Sequence, residues 1–308
     1  MIASRETGVG HAGKGTGRVS QEALLAAIQK EVDAFPGTAG VFAKNITTGE
    51  EVAFDPDTVR PTASTFKVPV MIELFRQVEA GEASLDAMLT ADESNATRGS
   101  GVLRGLSTGI KLRAEDVATL MIVVSDNQAT NMLLDYLGID KINATLEKNG
   151  FQKTRIVNRI DFDAIGEDAK NLATTTPREL AGIMAGIATK TVLSPASCEA
   201  MLGILAKQHY LDTVARYFPY TPFAAESGKP DNGLRVYNKT GSWSGMRADA
   251  AIVEWPGTQY AIGLISEGDT DPRFWAENAG NRLLGRLSKL VFDYFGGDTL
   301  APIPPLTY

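Results

Sequence analysis

Apolar positions along the chain change period twice. Leu24, Ala27, Ile28 and Phe35 recur at helical spacing behind Ser20, which is placed to cap the helix, and Pro36 ends the run. Residues 38–46 and 51–54 then carry short apolar runs around Thr47-Thr48-Gly49-Glu50, the pattern of a hairpin. A long helical middle follows. Val68, Met71, Ile72, Phe75 and Val78 share one face; Val117, Leu120, Met121 and Val124 mark a second helix; Met132, Leu133 and Leu137 mark a third, closed by Gly138. Thr176-Pro177-Arg178-Glu179 combines a capping box with proline at the first helical position, and Leu180, Ile183, Met184 and Ile187 continue that face. Ser194-Pro195 repeats the start signal ahead of Met201, Leu202 and Leu205, with Cys198 on the same face as a small core residue.

The last third returns to strands. Residues 234–239, 249–254 and 259–266 are the candidates, with the Pro256-Gly257 turn before the last, and Leu283, Leu287, Leu290, Val291 and Tyr294 mark a closing helix. Strands at both ends with helices between them predict one discontinuous α/β lobe interrupted by a helical lobe. A cleft between the lobes is then the natural site. Residues 1–19 carry Gly8, Gly10, Gly13, Gly15 and Gly17 without a preceding strand, so they predict a flexible tail rather than a nucleotide loop.

Composition narrows the chemistry. The 308 residues are 44% hydrophobic and 22% charged, enough to bury a core and unlike a disordered or collagenous chain. A net charge of −7 without any Lys/Arg block argues against a nucleic-acid surface or a polybasic membrane anchor. No apolar run approaches the roughly eighteen residues that span a bilayer; the densest is residues 120–124. Cys198 is the single cysteine and His11 and His209 the only histidines, so no intramolecular disulfide or Cys-rich zinc site can form. An enzyme built from this chain is expected to take its general base from lysine or a carboxylate.

Three short motifs answer that expectation: Ser64-Thr65-Phe66-Lys67, Ser125-Asp126-Asn127 and Lys239-Thr240-Gly241-Ser242. A Ser-x-x-Lys occurs about once by chance in a chain of this length. Each of the other tripeptides does so in roughly a few per cent of chains, and all three stand in order at element boundaries. Ser64 falls at a helix start with Lys67 one turn on, so a hydroxyl and an amine share one face. An amine walled by apolar residues is neutral more easily and can take the serine proton. Ser125 can relay a proton, and Asn127 can bind an amide through both its donor and its acceptor. At the end of the 234–239 strand, Lys239 and the neighbouring hydroxyls can hold a carboxylate, with Gly241 admitting close backbone approach. Each motif also has a plainer reading: a serine cap with a solvated lysine, a helix-helix turn, and the end of an edge strand.

Together these residues resemble the class A-like serine β-lactamase family, within the wider group that includes the penicillin-binding proteins. The resemblance runs from about residue 20 to 295. It includes Arg60-Pro61-Thr62-Ala63, residues 120–134, Thr174-Thr175-Thr176-Pro177 and Gly245-Met246-Arg247. It implies a β-lactamase-like α/β fold: an antiparallel sheet flanked by helices in one lobe, about 20–60 and 207–295, and an inserted all-helical lobe, about 61–206, with 296–308 as a C-terminal tail. It implies Ser64 as acylating nucleophile, Lys67 as its base, Ser125 as proton relay, and Asn127 as ligand for the substrate's side-chain amide. Lys239, Thr240, Ser242 and Arg247 become the carboxylate site, and the backbone N–H groups of Ser64 and Ser242 the oxyanion hole. No metal or organic cofactor is implied; the partner is a small-molecule β-lactam or a related amide or ester.

The chain departs from the family pattern after Arg159. Where the family has Arg-x-Glu, whose glutamate activates the deacylating water, this chain has Arg159-Ile160-Asp161. No Leu-Asn follows, Ala173 replaces the aspartate that would pair with the arginine, and the segment is one residue shorter. Asp161 is the first candidate base, with Asp163, Glu167 and Asp168 behind it. A displacement of about an ångström costs on the order of a hundredfold in such a step. Gly99-Ser100-Gly101-Val102-Leu103 is also unlike the best-known members and resembles a broader branch of class A-like serine hydrolases. The expected function is therefore a β-lactam-opening serine hydrolase. A D-Ala-D-Ala-type peptidase, another amidase or esterase, and a penicillin-binding trap or sensor without turnover stand as alternatives. The resemblance implies export, while the N-terminal residues as written carry no secretory signal.

Overall fold

The computed structural model describes residues 19–222 and 231–300; the expected N-terminal tail, apart from residue 19, lies outside them. Helix α1 (Gln21–Asp33) starts as its sequence dictates, with the Ser20 hydroxyl accepting from the Ala23 N–H at 3.2 Å. Strands β1 (Thr38–Asn45) and β2 (Glu51–Phe54) form the expected hairpin, its turn fixed by Asn45 Oδ1 accepting from Thr47 and Thr48. The middle of the chain runs β3 (Arg60–Pro61), α2 (Lys67–Glu79), β4 (Met88–Ala91), β5 (Ile110–Arg113), α3 (Ala114–Val123) and α4 (Asn127–Leu137). It continues through α5 (Ile139–Lys148), β6 (Arg155–Ile156), α6 (Phe162–Ile165), β7 (Ala173–Thr175), α7 (Pro177–Ala188) and α8 (Pro195–Leu205). Strands β8 (Arg235–Trp243), β9 (Met246–Trp255) and β10 (Thr258–Glu267) and helix α9 (Ala279–Tyr294) complete it.

The main sheet has the order β2-β1-β10-β9-β8 with every pairing antiparallel. Its two faces belong to two cores, because successive strand side chains point to opposite sides. Ala251 and Val253 of β9 pack with Leu24 and Ile28 of α1 and Leu283, Leu287 and Val291 of α9. Ala250 and Ile252 of the same strand join a second core with Met71, Met121, Leu133 and Met184 from the helices. A strand covered on both faces reads as a continuous apolar run, which is how residues 249–254 read in the sequence. Helix α7 approaches the sheet closely at Gly263, where a Cβ would lie 2.3 Å from the Pro177 carbonyl oxygen.

Four features differ from the sequence-based expectation. Strand β8 continues to Trp243, so Lys239-Thr240-Gly241-Ser242 lies within an edge strand instead of ending one. Helix α5 is additional, and so are the short strands β4 to β7, which fall within the stretch expected to be all helical. Thr176 caps α7 by accepting from the Glu179 N–H at 3.1 Å, but the Glu179 carboxylate turns away to the Lys153 and Thr154 N–H groups, so the capping box is half closed. In the expected C-terminal tail, Gly297–Thr299 form a 3-10 turn with Gly297 buried.

Candidate active site

From Arg60 to Phe75 every residue except Ser64 is buried. The reason is local: Ala63–Phe66 form a 3-10 turn that runs straight into α2, with the Lys67 N–H donating to the Ser64 carbonyl. Ala63 enters this turn at φ +41°, a left-handed conformation that costs a non-glycine residue energy and is retained where the surroundings impose it. Strand β8 supplies those surroundings. A Cβ on Gly241 would lie 2.7 Å from the Thr62 carbonyl oxygen and 3.1 Å from the Ser64 nitrogen, so only glycine lets the strand press against the turn.

Lys67 is fully buried, and its Nζ reaches the Ser125 carbonyl at 2.8 Å, the Ser125 hydroxyl at 3.1 Å and Asn127 Oδ1 at 2.8 Å. Burial pushes its pKa well below the ordinary lysine range; the nearby Lys239 charge pushes the same way and Asp126 opposes both. A neutral amine has two N–H groups and one lone pair, so the two carbonyl oxygens can take the donors while a hydroxyl donates to the lone pair. Ser125 sits between α3 and α4 at φ +53°, held out of helical geometry. Asn127 Oδ1 also accepts from Ser100 Oγ at 3.2 Å, and its Nδ2 donates to the Arg98 carbonyl at 3.0 Å.

The residue between them, Asp126, carries more of the geometry than its sequence reading suggested. Its buried carboxylate caps α4 at Ala129 and accepts from the Val102 and Leu103 N–H groups at 2.6 and 2.8 Å, tying the 99–103 loop to the turn. Ser100 Oγ completes the tie on the Ser125 carbonyl at 2.7 Å. An aspartate immediately before a helix was the available signal for the cap; nothing local announced its second contact.

On β8, Lys239 is fully buried with Nζ on the Thr240 carbonyl at 2.8 Å. Burial lowers its pKa to about 7, the Asp249 charge pulling it back up. Asp249, buried on β9, is pushed up to about 6 by the same desolvation, against the Thr213 hydroxyl, the Val214 N–H and the Asn238 amide that hold it. A lone acid inside Ala248-Asp249-Ala250-Ala251 was the sequence signal for this network, since a buried charge demands partners.

Ser64, Ser125, Asn127, Thr240 and Ser242 all line one cleft of about 970 Å³. Four expected residues do not: Lys67 and Lys239, both fully buried, and two more. Arg247 is buried behind the wall, where Nη1 donates to the Trp243 and Met246 carbonyls and Nη2 to the Arg273 carbonyl; a guanidinium so enclosed spends its donors on backbone. Asp161 is an exposed cap of α6, its Oδ1 accepting from the Asp163 and Ala164 N–H groups at 3.0 and 3.3 Å. Arg159 turns to Asp135 and the Ser94 carbonyl. Of the segment's acids, Glu167 lines the cleft. Among the described residues no group of His, Cys, Asp and Glu is arranged to hold a metal ion, and no helix is long and apolar enough to cross a membrane.

Known proteins resemble this chain in sequence and in fold. The family model described as Beta-lactamase enzyme family matches residues 23–295. Beta-lactamase AST-1 of Nocardia asteroides is 28% identical over 267 residues, 83% of this chain and 79% of that protein. The crystal structure of a beta-lactamase from Sphaerobacter thermophilus superposes with a TM-score of 0.80 at 28% identity, covering 93% of this chain and 100% of that one. A mutant of PBP-A, in an acyl-enzyme complex with penicillin G, superposes with a TM-score of 0.75 at 28% identity, covering 89% and 96%.

Proposed function

The chain belongs to the beta-lactamase enzyme family, and on that premise we propose that it is a serine hydrolase that opens β-lactams through an acyl-enzyme on Ser64. The observation that carries this reading is the buried Lys67 amine held against Ser125, with Ser64 the one uncovered residue of its turn. Neutral Lys67 takes the Ser64 hydroxyl proton as Oγ attacks the lactam carbonyl. The oxyanion forms against the backbone N–H groups of Ser64 and Ser242, which Gly241 allows to stand close together. The C–N bond breaks, and the nitrogen receives its proton from the Lys67 ammonium through the Ser125 hydroxyl. An amide nitrogen carries two donors, so Asn127, having given one to Arg98, has a second for the substrate's side-chain carbonyl. Lys239, Thr240 and Ser242 hold the substrate carboxylate, with Arg247 keeping the strand end in place from behind.

For hydrolysis of the acyl-enzyme we assign the water-activating carboxylate to Glu167, because it reaches the cleft and Asp161 does not. The capping role of Asp161 also favours a second reading, a long-lived acyl-enzyme of the penicillin-binding kind. One experiment decides between them. The protein is mixed with a chromogenic cephalosporin while colour and intact mass are followed: repeated turnovers support the hydrolase, and a single persistent adduct on Ser64 supports the trap. Ser64→Ala abolishes both in either case; residual lactam opening by that variant would sink the assignment.

A further inference from the structure

Ser100 lines the cleft on a loop built around it. Gly99 and Gly101 flank it at φ +97° and +111°, a left-handed region that glycine alone enters freely. Neither has room for a side chain. A Cβ on Gly99 would stand 2.6 Å from Asn127 Nδ2, and one on Gly101 would stand 2.3 Å from the Asp126 carboxyl carbon. The loop is also fastened by hydrogen bonds: the Ser100 carbonyl accepts from the Asn127 N–H at 3.0 Å, and Asp126 takes the Val102 and Leu103 N–H groups. The Ser100 hydroxyl is thereby set 2.7 Å from the Ser125 carbonyl and 3.2 Å from Asn127 Oδ1. These are the same two oxygens that the Lys67 amine reaches at 2.8 Å each.

We propose that Ser100 is a positioning residue for acylation: its hydroxyl competes with Lys67 for the Ser125 carbonyl, which disfavours the ammonium and leaves the amine free to take the Ser64 proton. The inference rests on the acylation reading above and goes beyond it, since proton transfer among Ser64, Lys67 and Ser125 does not itself require Ser100. A hydroxyl has one proton, and the shorter contact gives it to the Ser125 carbonyl. That oxygen then serves two donors and offers less to a cation. A hydrogen bond to the charged form of an amine raises its pKa, so sharing the acceptor lowers it. The other influences on Lys67 are set by the fold: burial and the Lys239 charge oppose the ammonium, and Asp126 favours it. Asp126 spends its carboxylate on three N–H groups. Among the described residues only neutral oxygens therefore hydrogen-bond the amine, and Ser100 contacts two of the three.

The test reads Lys67 directly. The protein is labelled with carbon-13 at lysine Cε, and the Lys67 signal is identified by its loss in Lys67→Met. Its titration is then followed by NMR in the wild type, Ser100→Ala and Ser100→Thr. Ser100 is exposed, so neither change removes core packing, and thermal unfolding checks that both variants fold. Ser100→Ala returns the carbonyl to the ammonium, so the midpoint should rise by about half a pH unit or more. Ser100→Thr, which keeps the hydroxyl, should restore it. The acid limb of the rate of Ser64 adduct formation with a chromogenic cephalosporin should move upward by the same amount, with little change on the plateau. A purely structural role would lower the rate at every pH and move neither. An unmoved midpoint, or a moved midpoint with an unmoved limb, would overturn the inference and leave the acylation reading standing. Absence of a Ser64 adduct in the wild type would overturn the acylation reading and this role with it, whatever the midpoint does.

Discussion

The surroundings of Lys67 and the segment from Arg159 to Leu172 both meet the cleft, and they are built in contrary ways. Around Lys67 the polar groups are buried and multiply held: its Nζ has three partners, and the Asp126 carboxylate three more. In the other segment the acids are exposed and mostly occupied elsewhere. Asp161 and Asp168 cap short helical turns, and Asp163 pairs with Arg98. The difference matches what each half of the proposed reaction needs. Lys67 is pushed toward neutrality chiefly by losing water, and an amine without water needs a set of partners. A carboxylate is already ionised, so position alone qualifies it, and many positions along a loop can be tried.

The largest effect should come from breaking the buried half. Lys67→Met keeps the length and apolar stem of the side chain but removes the base, and acylation of Ser64 should slow by about a thousandfold. The rate of adduct formation with a chromogenic cephalosporin measures it; a loss under tenfold would mean that another group takes the serine proton. Next comes the exposed half. Glu167→Gln should leave acylation intact and lengthen the life of the adduct by about a hundredfold, since only the water-activating step is touched. An unchanged lifetime would remove Glu167 from the mechanism.

The two lysines can be separated by pH. On the proposed mechanism Lys67 works neutral, so kcat/KM should fall as the pH drops through its depressed pKa. On the same mechanism Lys239 works charged, so carboxylate binding should weaken as the pH rises through about 7. Asp249 beside it, at about 6, is ionised in that range and steadies the charge. Losing a charge-assisted hydrogen bond there should lower kcat/KM about tenfold or more on the alkaline side. Lys239→Arg cannot be deprotonated in this range, so the alkaline fall should vanish while the acid limb stays. A fall that persists in Lys239→Arg would assign it to another group.

How much of this was legible in the sequence divides along the same line. The helices with capping signals and the doubly covered strands declare themselves in the sequence, and the three motifs mark Ser64, Lys67, Ser125, Asn127 and Lys239. Helix α5 does not declare itself, because it starts directly after Gly138 with no side-chain cap, so no start signal marks it. The full reach of β8 was missed because its last residues, Gly241-Ser242-Trp243, carry turn chemistry and are held in the strand only by pairing with β9. Only the family resemblance puts Arg247 in the cleft, through its place after Gly245-Met246. Three backbone carbonyls accept from its two Nη groups instead, and its buried Nε has no hydrogen-bond partner.

Asp161 is the finest test of the contrast, because one residue has two readings that predict different observables. As a base, its loss would strand the acyl-enzyme; as a cap, its loss would loosen α6 and nothing else in the chemistry. Its Oδ1 spans the N–H groups of Asp163 and Ala164, the geometry of a capping aspartate. Asp161→Ala should therefore cost about 1 kcal/mol of stability, measured by denaturant unfolding, with the adduct lifetime unchanged. Asp161→Asn, which retains the capping oxygen and removes the charge, should recover nearly all of that loss. If Asp161→Asn instead lengthens the adduct lifetime as Glu167→Gln is expected to, the base resides at Asp161. The α6 turn would then have to rearrange when substrate binds, and the segment would owe its exposure to that movement.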